Sequence, residues 1–205
     1  MPLSNYSELQ TAIANWLNRD DLTSVIPDFI SLAEDDMNRT IRHYEMEERS
    51  TASFDTRYTL LPTSFLEAVR LHLDADERPV ELVTPLSLQT YRQKGGDTSG
   101  KPRYYAIVGG QIEVWPTPDA AYTGELYYYK EIPSLTSSDP TNWVLNKFSD
   151  VYLYGSLLHS SMYLVDDNRI TGWSALYQKA VDGINSNNQK AKFGGSGLRM
   201  QVNTY

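Results

Sequence analysis

Hydrophobic residues recur with a helical period at both ends of the chain. Near the start, apolar side chains three and four residues apart predict one helix from Asn5 to just before Asp20 and a second from about Ser24 to Arg42. The spacing of Asn5 and Glu8 matches a capping box, in which two side chains satisfy the free amides of a helix start. Near the end, the same period predicts helices over about 142–165 and 168–189. The first of these is apolar on more than one face, which favours a central, buried position.

Between these helices the hydrophobic pattern shortens to runs that fit β-strands. The best-defined pair, Arg103–Val108 and Gln111–Trp115, flanks Gly109-Gly110, and two such glycines supply the positive φ angles of a two-residue hairpin turn. Thr84-Pro85 is typical of a helix start, so we expect a short helix up to about Tyr91. Further strands are predicted at Arg57–Leu60, Leu66–Leu73, Pro79–Val83 and Tyr122–Glu131.

This order of elements predicts an α+β fold. We expect a four-helix bundle formed by the N- and C-terminal helix pairs, with an inserted small antiparallel β module and a C-terminal extended arm. The predicted boundaries are 1–44 and 136–191 for the helical bundle, 45–135 for the β-rich insertion and 192–205 for the arm. A chain of 205 residues is long enough to bury an ordinary hydrophobic core.

Charge is distributed unevenly along the sequence. The formal net charge is −8, but the last twenty residues carry three basic side chains and no acidic one, so the remainder carries −11. An acidic body argues against specific binding of nucleic acid, which depends on lysine and arginine contacts to phosphate. No apolar run reaches the roughly 18–20 residues of a membrane helix, and the first residues lack a signal-peptide pattern. We therefore expect no membrane association.

Residue types that carry catalysis are absent or scattered. There is no cysteine, which excludes disulfides, thiolate chemistry and cysteine-bound metals. His43, His72 and His159 lie in three different predicted elements, and none has a metal-binding spacing. The glycines form neither a phosphate-binding loop nor a nucleophile elbow. We predict no catalytic, cofactor-binding or metal-binding residue and no enzyme activity, and an enzyme with an unrecognised cleft stays as a third alternative.

Tyrosine is abundant, with 15 residues, three of them consecutive. Successive side chains of a strand point to opposite faces, so Tyr128 is predicted on one face and Tyr127 and Tyr129 on the other. Tyrosine suits a half-buried strand in any sheet, but it is also enriched at protein interfaces. We interpret Tyr127 and Tyr129 as an intersubunit face. A carbohydrate- or surface-binding β module that uses these tyrosines or Trp115 is the alternative function.

The second half of the chain carries motifs that resemble a known family. They are the tyrosine run in Leu126–Lys130, Pro133–Leu135, the Asn-Trp stretch in Pro140–Leu145 and the Tyr-Leu-Tyr-Gly stretch in Asp150–Leu158. In this order they resemble the head-to-tail adaptor (connector, or head-completion) proteins of tailed bacteriophages. The two N-terminal helices and the helix around Trp173–Tyr177 look like the opening and closing elements of the same family.

This resemblance implies a structural protein of the virion. Such adaptors look like a helical bundle with a β insertion, and they form a ring, commonly of twelve subunits, under the portal protein. The opposite side of the ring receives the tail or nozzle protein, and the genome passes through the hole. The implied location is the head–tail junction, after synthesis in the cytoplasm of the host bacterium. The carbohydrate-binding alternative would then be a surface module elsewhere on a virion.

In such adaptors a C-terminal arm reaches onto the portal. The basic, glycine-rich end of this chain fits that role, because a segment that folds on binding can cover a large partner surface. We expect the arm to dock through Lys192, Phe193, Leu198, Arg199, Met200, Val202 and Tyr205. The acidic remainder would repel passing DNA within a Debye length, roughly 8–10 Å.

Overall fold

The computed structural model describes residues 3–73, 78–96, 98–161, 163–164 and 169–193. Within them the fold is mixed α+β, with six α-helices and two sheets. The helices are α1 Tyr6–Leu17, α2 Ile26–Thr40, α3 Pro85–Gly95, α4 Trp143–Lys147, α5 Ser149–Ser160 and α6 Ile170–Phe193. The strands are β1 Glu47–Phe54, β2 Tyr58–Leu60, β3 Phe65–Leu73, β4 Glu81–Leu82, β5 Tyr104–Val108, β6 Gln111–Trp115 and β7 Tyr122–Lys130.

The chain divides into two compact units. A helical unit comprises Met1–Glu45 together with Ile132–Tyr205, and a β unit comprises Met46–Glu131. The β unit is therefore inserted in the sequence of the helical unit.

In the helical unit, α5 is the central helix and contacts α1, α2, α4 and α6. Gly155 on α5 makes a close approach possible, because a Cβ atom at this position would lie 3.1 Å from the Ala33 side chain on α2 and 3.1 Å from the Tyr177 ring on α6. The apolar stripe predicted for α2 is confirmed as core: Ile26, Phe29, Ile30, Ala33, Met37 and Ile41 are all buried.

The predicted four-helix bundle is not confirmed. The helix expected over 142–165 is two helices, because the backbone leaves the helical conformation at Phe148 (φ −141°, ψ 52°). Asn142 caps the first of them by accepting a hydrogen bond from the Leu145 amide at 2.9 Å. The helices are instead arranged around α5, with the short α4 leading into it.

The predicted capping box of α1 forms only in part. The Asn5 side chain accepts a hydrogen bond from the Glu8 amide at 2.9 Å, as expected. The Glu8 carboxylate, however, accepts from the amide and the hydroxyl of Ser4 instead of returning to Asn5. The Glu8 carboxylate therefore binds the Ser4 amide, one residue before the amide that the motif predicts.

A buried carboxylate holds the segment that follows the β unit against α2 and α5 by hydrogen bonds. Glu34 on α2 accepts hydrogen bonds from the Leu135 amide at 2.7 Å and from the Tyr152 hydroxyl at 3.1 Å. Asn142 donates to the Tyr152 oxygen and to the Pro133 carbonyl, both at 2.6 Å. Burial raises the pKa of Glu34 above its ordinary value, although the hydrogen bonds that it accepts from Leu135 and Tyr152 oppose the rise. The Glu34 side chain thus joins α2 to α5 and to the segment that contains Leu135.

In the β unit, two sheets share one hydrophobic core. The three-stranded sheet has the order β1-β7-β3 and is antiparallel, and the four-stranded sheet has the order β2-β6-β5-β4. The core lies between them and is formed by Phe54, Leu71, Leu73, Val80, Tyr105, Ile112, Val114, Leu126 and Tyr128. The predicted all-antiparallel module is wrong in one pairing, since β4 runs parallel to β5. Strand β1 was not predicted, because its sequence is polar and lacks an apolar alternation.

The hairpin predicted at Gly109-Gly110 is confirmed. Strands β5 and β6 pair with Val108 opposite Gln111, and the two glycines between them have φ angles of 56° and 80°. Positive φ at both central residues is the geometry that favours glycine in a tight hairpin turn.

Candidate functional site

The tyrosine run on β7 alternates between the core and the outer face of the three-stranded sheet. Tyr128 is 3% exposed and stacks on the Phe65 ring, with the ring centroids 5.7 Å apart. Tyr127 and Tyr129 lie on the opposite face and are half-buried. Their separation from Tyr128 follows the two-residue period of a strand.

Arginines flank Tyr127 on this outer face. The Arg70 guanidinium lies 4.7 Å from the centroid of the Tyr127 ring, within the range of a cation–π contact. On the other side, Arg49 of β1 pairs in register with Tyr127 and makes an ion pair with Glu125 at 3.4 Å. A hydrogen bond from Tyr127, followed by the charge of Arg49, holds the pKa of Glu125 below its ordinary value. The face therefore combines aromatic rings with both signs of charge.

Trp115 lies on the other sheet and faces α3. Its ring is near those of Tyr104 and Tyr91, with centroid distances of 6.0 and 6.1 Å, and it packs against Gly95. Because Val114 and Tyr105 face the shared core, Trp115 and Tyr104 point away from it. A single carbohydrate-binding platform would need Trp115 on the same face as Tyr127 and Tyr129. The structure does not place them on one face.

A cluster of one carboxylate and two guanidinium groups lies beside these aromatic rings. Glu113 on β6 accepts hydrogen bonds at one oxygen from Arg57, at 2.6 and 2.9 Å, and from Arg92 on α3 at 2.7 Å. Burial by itself raises the pKa of Glu113, but the hydrogen bonds and charges of the two arginines outweigh it and leave the pKa below its ordinary value. No local sequence pattern identifies this cluster, because Arg92 and Arg57 lie 21 and 56 residues from Glu113 in the chain.

The cluster opens into a groove of about 640 Å³ between α3 and the β5–β6 hairpin. We call it the arginine groove and define it by Arg57, Leu86, Gln89, Arg92, Val108 and Glu113. Its apolar members face solvent: Leu86 is 74% exposed and Val108 is 41% exposed. Leu60 pairs with Gln111, which also pairs with Val108, so the three side chains share one face of the sheet. An apolar patch of this kind beside paired arginines is typical of a protein-binding surface.

The predicted docking arm lies mostly outside the described residues. Helix α6 extends to Phe193, four residues beyond the predicted end, so that Lys192 and Phe193 belong to this helix. The remaining residues assigned to the arm are outside the described part of the chain: Leu198, Arg199, Met200, Val202 and Tyr205.

The histidines occupy separate environments. His43 is buried and stacks on Trp143 with a centroid distance of 4.9 Å, and burial lowers the pKa of His159 on α5. His72 lies on β3. Among the described residues, no three histidine, aspartate or glutamate side chains converge as metal ligands. Within the same part of the chain, no helix is both long and apolar enough to cross a membrane.

Taken with the fold, these surfaces favour a protein that acts through contacts with other proteins. The chain belongs to the SU10 adaptor protein family, whose sequence model matches residues 4–201. This family consists of bacteriophage head-to-tail adaptors, so the resemblance identified in the sequence is confirmed, and the chain is a structural adaptor protein of the phage virion. Membership implies oligomerisation and association with portal and tail proteins. No curated protein matches the sequence.

Proposed function

We propose that this chain is the head-to-tail adaptor subunit that assembles as a ring under the portal, joins it to the tail or nozzle protein and leaves a channel for the genome. The observation that carries this proposal is the family match, which covers residues 4–201. By resemblance to such adaptors, the ring has twelve subunits and forms at the head–tail junction after synthesis in the host cytoplasm.

Each part of the chain has a separate role in this proposal. Residues 1–44 and 136–191 form the helical part of the ring wall, residues 45–135 form the β-rich insertion, and residues 192–205 form the arm that docks on the portal. Tyr127 and Tyr129 contribute to an intersubunit face. A half-buried tyrosine next to arginine suits this role, since both residue types are enriched in protein interfaces.

The charge distribution supports passage of DNA without attachment to the wall. The first 185 residues carry −11, and an acidic wall disfavours close approach of phosphate. The basic segment is confined to the end of the chain, where it can contact a protein partner instead of the genome.

Portal docking by the arm predicts that truncation abolishes binding. Full-length protein should co-sediment with the purified portal ring of its phage in a fixed ratio, and a chain that ends at Lys192 should not. The control is the circular dichroism spectrum of the truncated chain, which should keep the helical and strand signals of the described elements. Analytical ultracentrifugation measures both the ratio and the size of the complex.

The outcomes separate two parts of the proposal. If the truncated chain binds the portal as tightly as the full-length chain, the arm is not the docking element, although the adaptor role stands. If the full-length chain fails to bind the portal at all, the adaptor role itself is wrong.

A further inference from the structure

The arginine groove has more positive charge and more exposed apolar surface than the fold requires. One carboxylate, Glu113, stands against two guanidinium groups, so the cluster keeps a net charge of +1. A guanidinium has five N–H donors, and the Arg57 side chain, which is 38% exposed, donates two of them to Glu113. Leu86 and Val108 border this cluster and face solvent. The groove thus suits a partner that presents an apolar side chain next to acidic ones.

A surface with the complementary chemistry lies on α2 of the helical unit. Asp28, Ser31, Leu32 and Asp35 are all exposed, and their spacing of three, four and seven residues places them on one face of the helix. We call this face the α2 stripe. Leu32 is 47% exposed, with an aspartate four residues before it and another three residues after it. The stripe therefore offers an apolar side chain between two carboxylates.

We propose that the α2 stripe of one copy of the chain docks in the arginine groove of the next copy. Leu32 contacts Leu86 and Val108, and the carboxylates of Asp28 and Asp35 approach Arg57 and Arg92. Charge-assisted hydrogen bonds between guanidinium and carboxylate groups are short and strong, and arginine is common among the residues that dominate interface energy. The occupant of the groove is thus a second copy of this chain.

A contact of this kind uses two different surfaces of the same molecule. Such head-to-tail contacts leave one free stripe and one free groove at the two ends of the growing oligomer, so they generate rings or filaments instead of closed dimers. The inference rests on the proposed function, because it assigns part of the contact by which the adaptor ring would form. A stable interface buries about 800 Å² on each partner, so the stripe and the groove form one part of a larger boundary between neighbours.

The absence of cysteine from the sequence allows a direct test by cross-linking. Variants L32C and L86C each place one thiol at an exposed leucine, one on the stripe and one in the groove. They are mixed in equal amounts, with one of them carrying a mass tag, and treated with a short bis-maleimide, both in solution and on the portal ring. The control is L176C, which replaces an exposed leucine on α6 outside both surfaces.

Docking should raise the effective concentration of one thiol near the other. We expect L32C to couple to L86C at least about tenfold faster than to L176C, and faster than either variant couples to itself. Adding D35K to L32C should lower the rate to the L176C level, because it places a cation against the arginines. The matched variant D20K makes the same change of charge outside the stripe and should leave the rate unchanged.

Equal rates of coupling of L32C to L86C and to L176C would overturn the proposed contact between the α2 stripe and the arginine groove. Coupling of L86C to tail protein in place of L32C would assign the groove to that partner and would also overturn it. Wild-type protein in the same preparation is tested for co-sedimentation with the portal. If wild-type protein binds the portal but the thiols do not couple, only this inference fails, whereas loss of portal binding contradicts the proposed function.

Discussion

At the scale of single residues, Glu34 is a buried acid that links α2 to α5 and to the segment around Leu135. Its carboxylate accepts from the Leu135 amide and the Tyr152 hydroxyl, and burial raises its pKa above the ordinary value of 4.5. The folded protein therefore keeps this proton at pH values where the unfolded chain has lost it. The resulting contribution to stability is fully present below about pH 4.5 and is lost as the pH rises through the folded pKa.

This linkage predicts opposite effects of two substitutions at Glu34. In E34Q the amide oxygen can still accept both hydrogen bonds, but the side chain no longer titrates. We therefore expect that the free energy of unfolding of E34Q does not decrease through this residue as the pH rises above 4.5. In E34A the two donors lose their buried acceptor, which should cost about 1–3 kcal/mol. Urea denaturation at several pH values measures both effects. An unchanged pH dependence in E34Q would show that Glu34 titrates as an ordinary carboxyl group.

Glu34 also shows which residues could be predicted from the sequence. Its neighbour Ala33 belongs to the apolar stripe of α2, which was predicted correctly because helical periodicity is a local property. The partners of Glu34 lie 101 and 118 residues away, so no local pattern could identify them. The same holds for Glu113, whose two arginines come from outside its own hairpin.

At the scale of secondary-structure elements, strand β7 separates a core face from a candidate binding face. Tyr128 is buried between the sheets, and truncating it to alanine should cost about 3–5 kcal/mol, as for other large aromatic core residues. Tyr127 is half-buried, and Y127A should cost about 1 kcal/mol or less through loss of the contact with Arg70. We expect Y127A to weaken self-association or portal-ring assembly while leaving the fold intact.

Denaturation and sedimentation velocity of Y127A and Y128A test this division of roles. If Y127A destabilises the fold as much as Y128A, the outer tyrosine is a packing residue. If Y127A assembles like the wild-type protein, the intersubunit role assigned to this face is wrong.

The elements that were predicted well are those with a strong local signal. The hairpin β5–β6 and helices α1 and α2 follow from a glycine pair and from clear periodicity. Strand β1 escaped prediction because its side chains are mostly polar and exposed, and its position depends on pairing with β7, whose residues follow 68 to 82 positions later. The break at Phe148 escaped prediction because the apolar pattern continues through it, although the backbone does not.

At the scale of the whole molecule, the unequal distribution of charge predicts how the protein responds to DNA. Proteins that bind DNA through phosphate contacts bind more tightly as salt is lowered. Repulsion by an acidic wall also reaches further at low salt, since the Debye length grows to about 30 Å at 0.01 M. We therefore expect no binding of duplex DNA at 0.15 M salt and none at 0.01 M salt for a chain that ends at residue 185, which carries −11.

Fluorescence anisotropy of a labelled duplex measures this binding. Full-length protein serves as the comparison, because its last twenty residues carry +3 and any binding at low salt should come from them. Binding by the shortened chain that strengthens as salt is lowered would contradict the proposal of a repulsive channel wall.

The class of fold and the family were accessible from the sequence, whereas the arrangement of the helices was not. Element order predicted a mixed fold with a β-rich insertion, and the motifs between Leu126 and Leu158 indicated the adaptor family. A four-helix bundle was the simplest packing of four amphipathic helices. The structure has α5 at the centre instead, because Gly155 admits α2 and α6 at close range, and such close approach is not encoded in a hydrophobic pattern.

The insertion of the β unit within the helical unit also orders the folding of the chain during its synthesis. The ribosome releases α1 and α2 first, but their core partner α5 follows more than a hundred residues later. The strands of the β unit all lie within 47–130, so this unit can close while α5 is still being made. In a nascent chain, the faces of α1 and α2 that pack on α5 thus stay uncovered until residue 160 has emerged, and the helical unit is completed last.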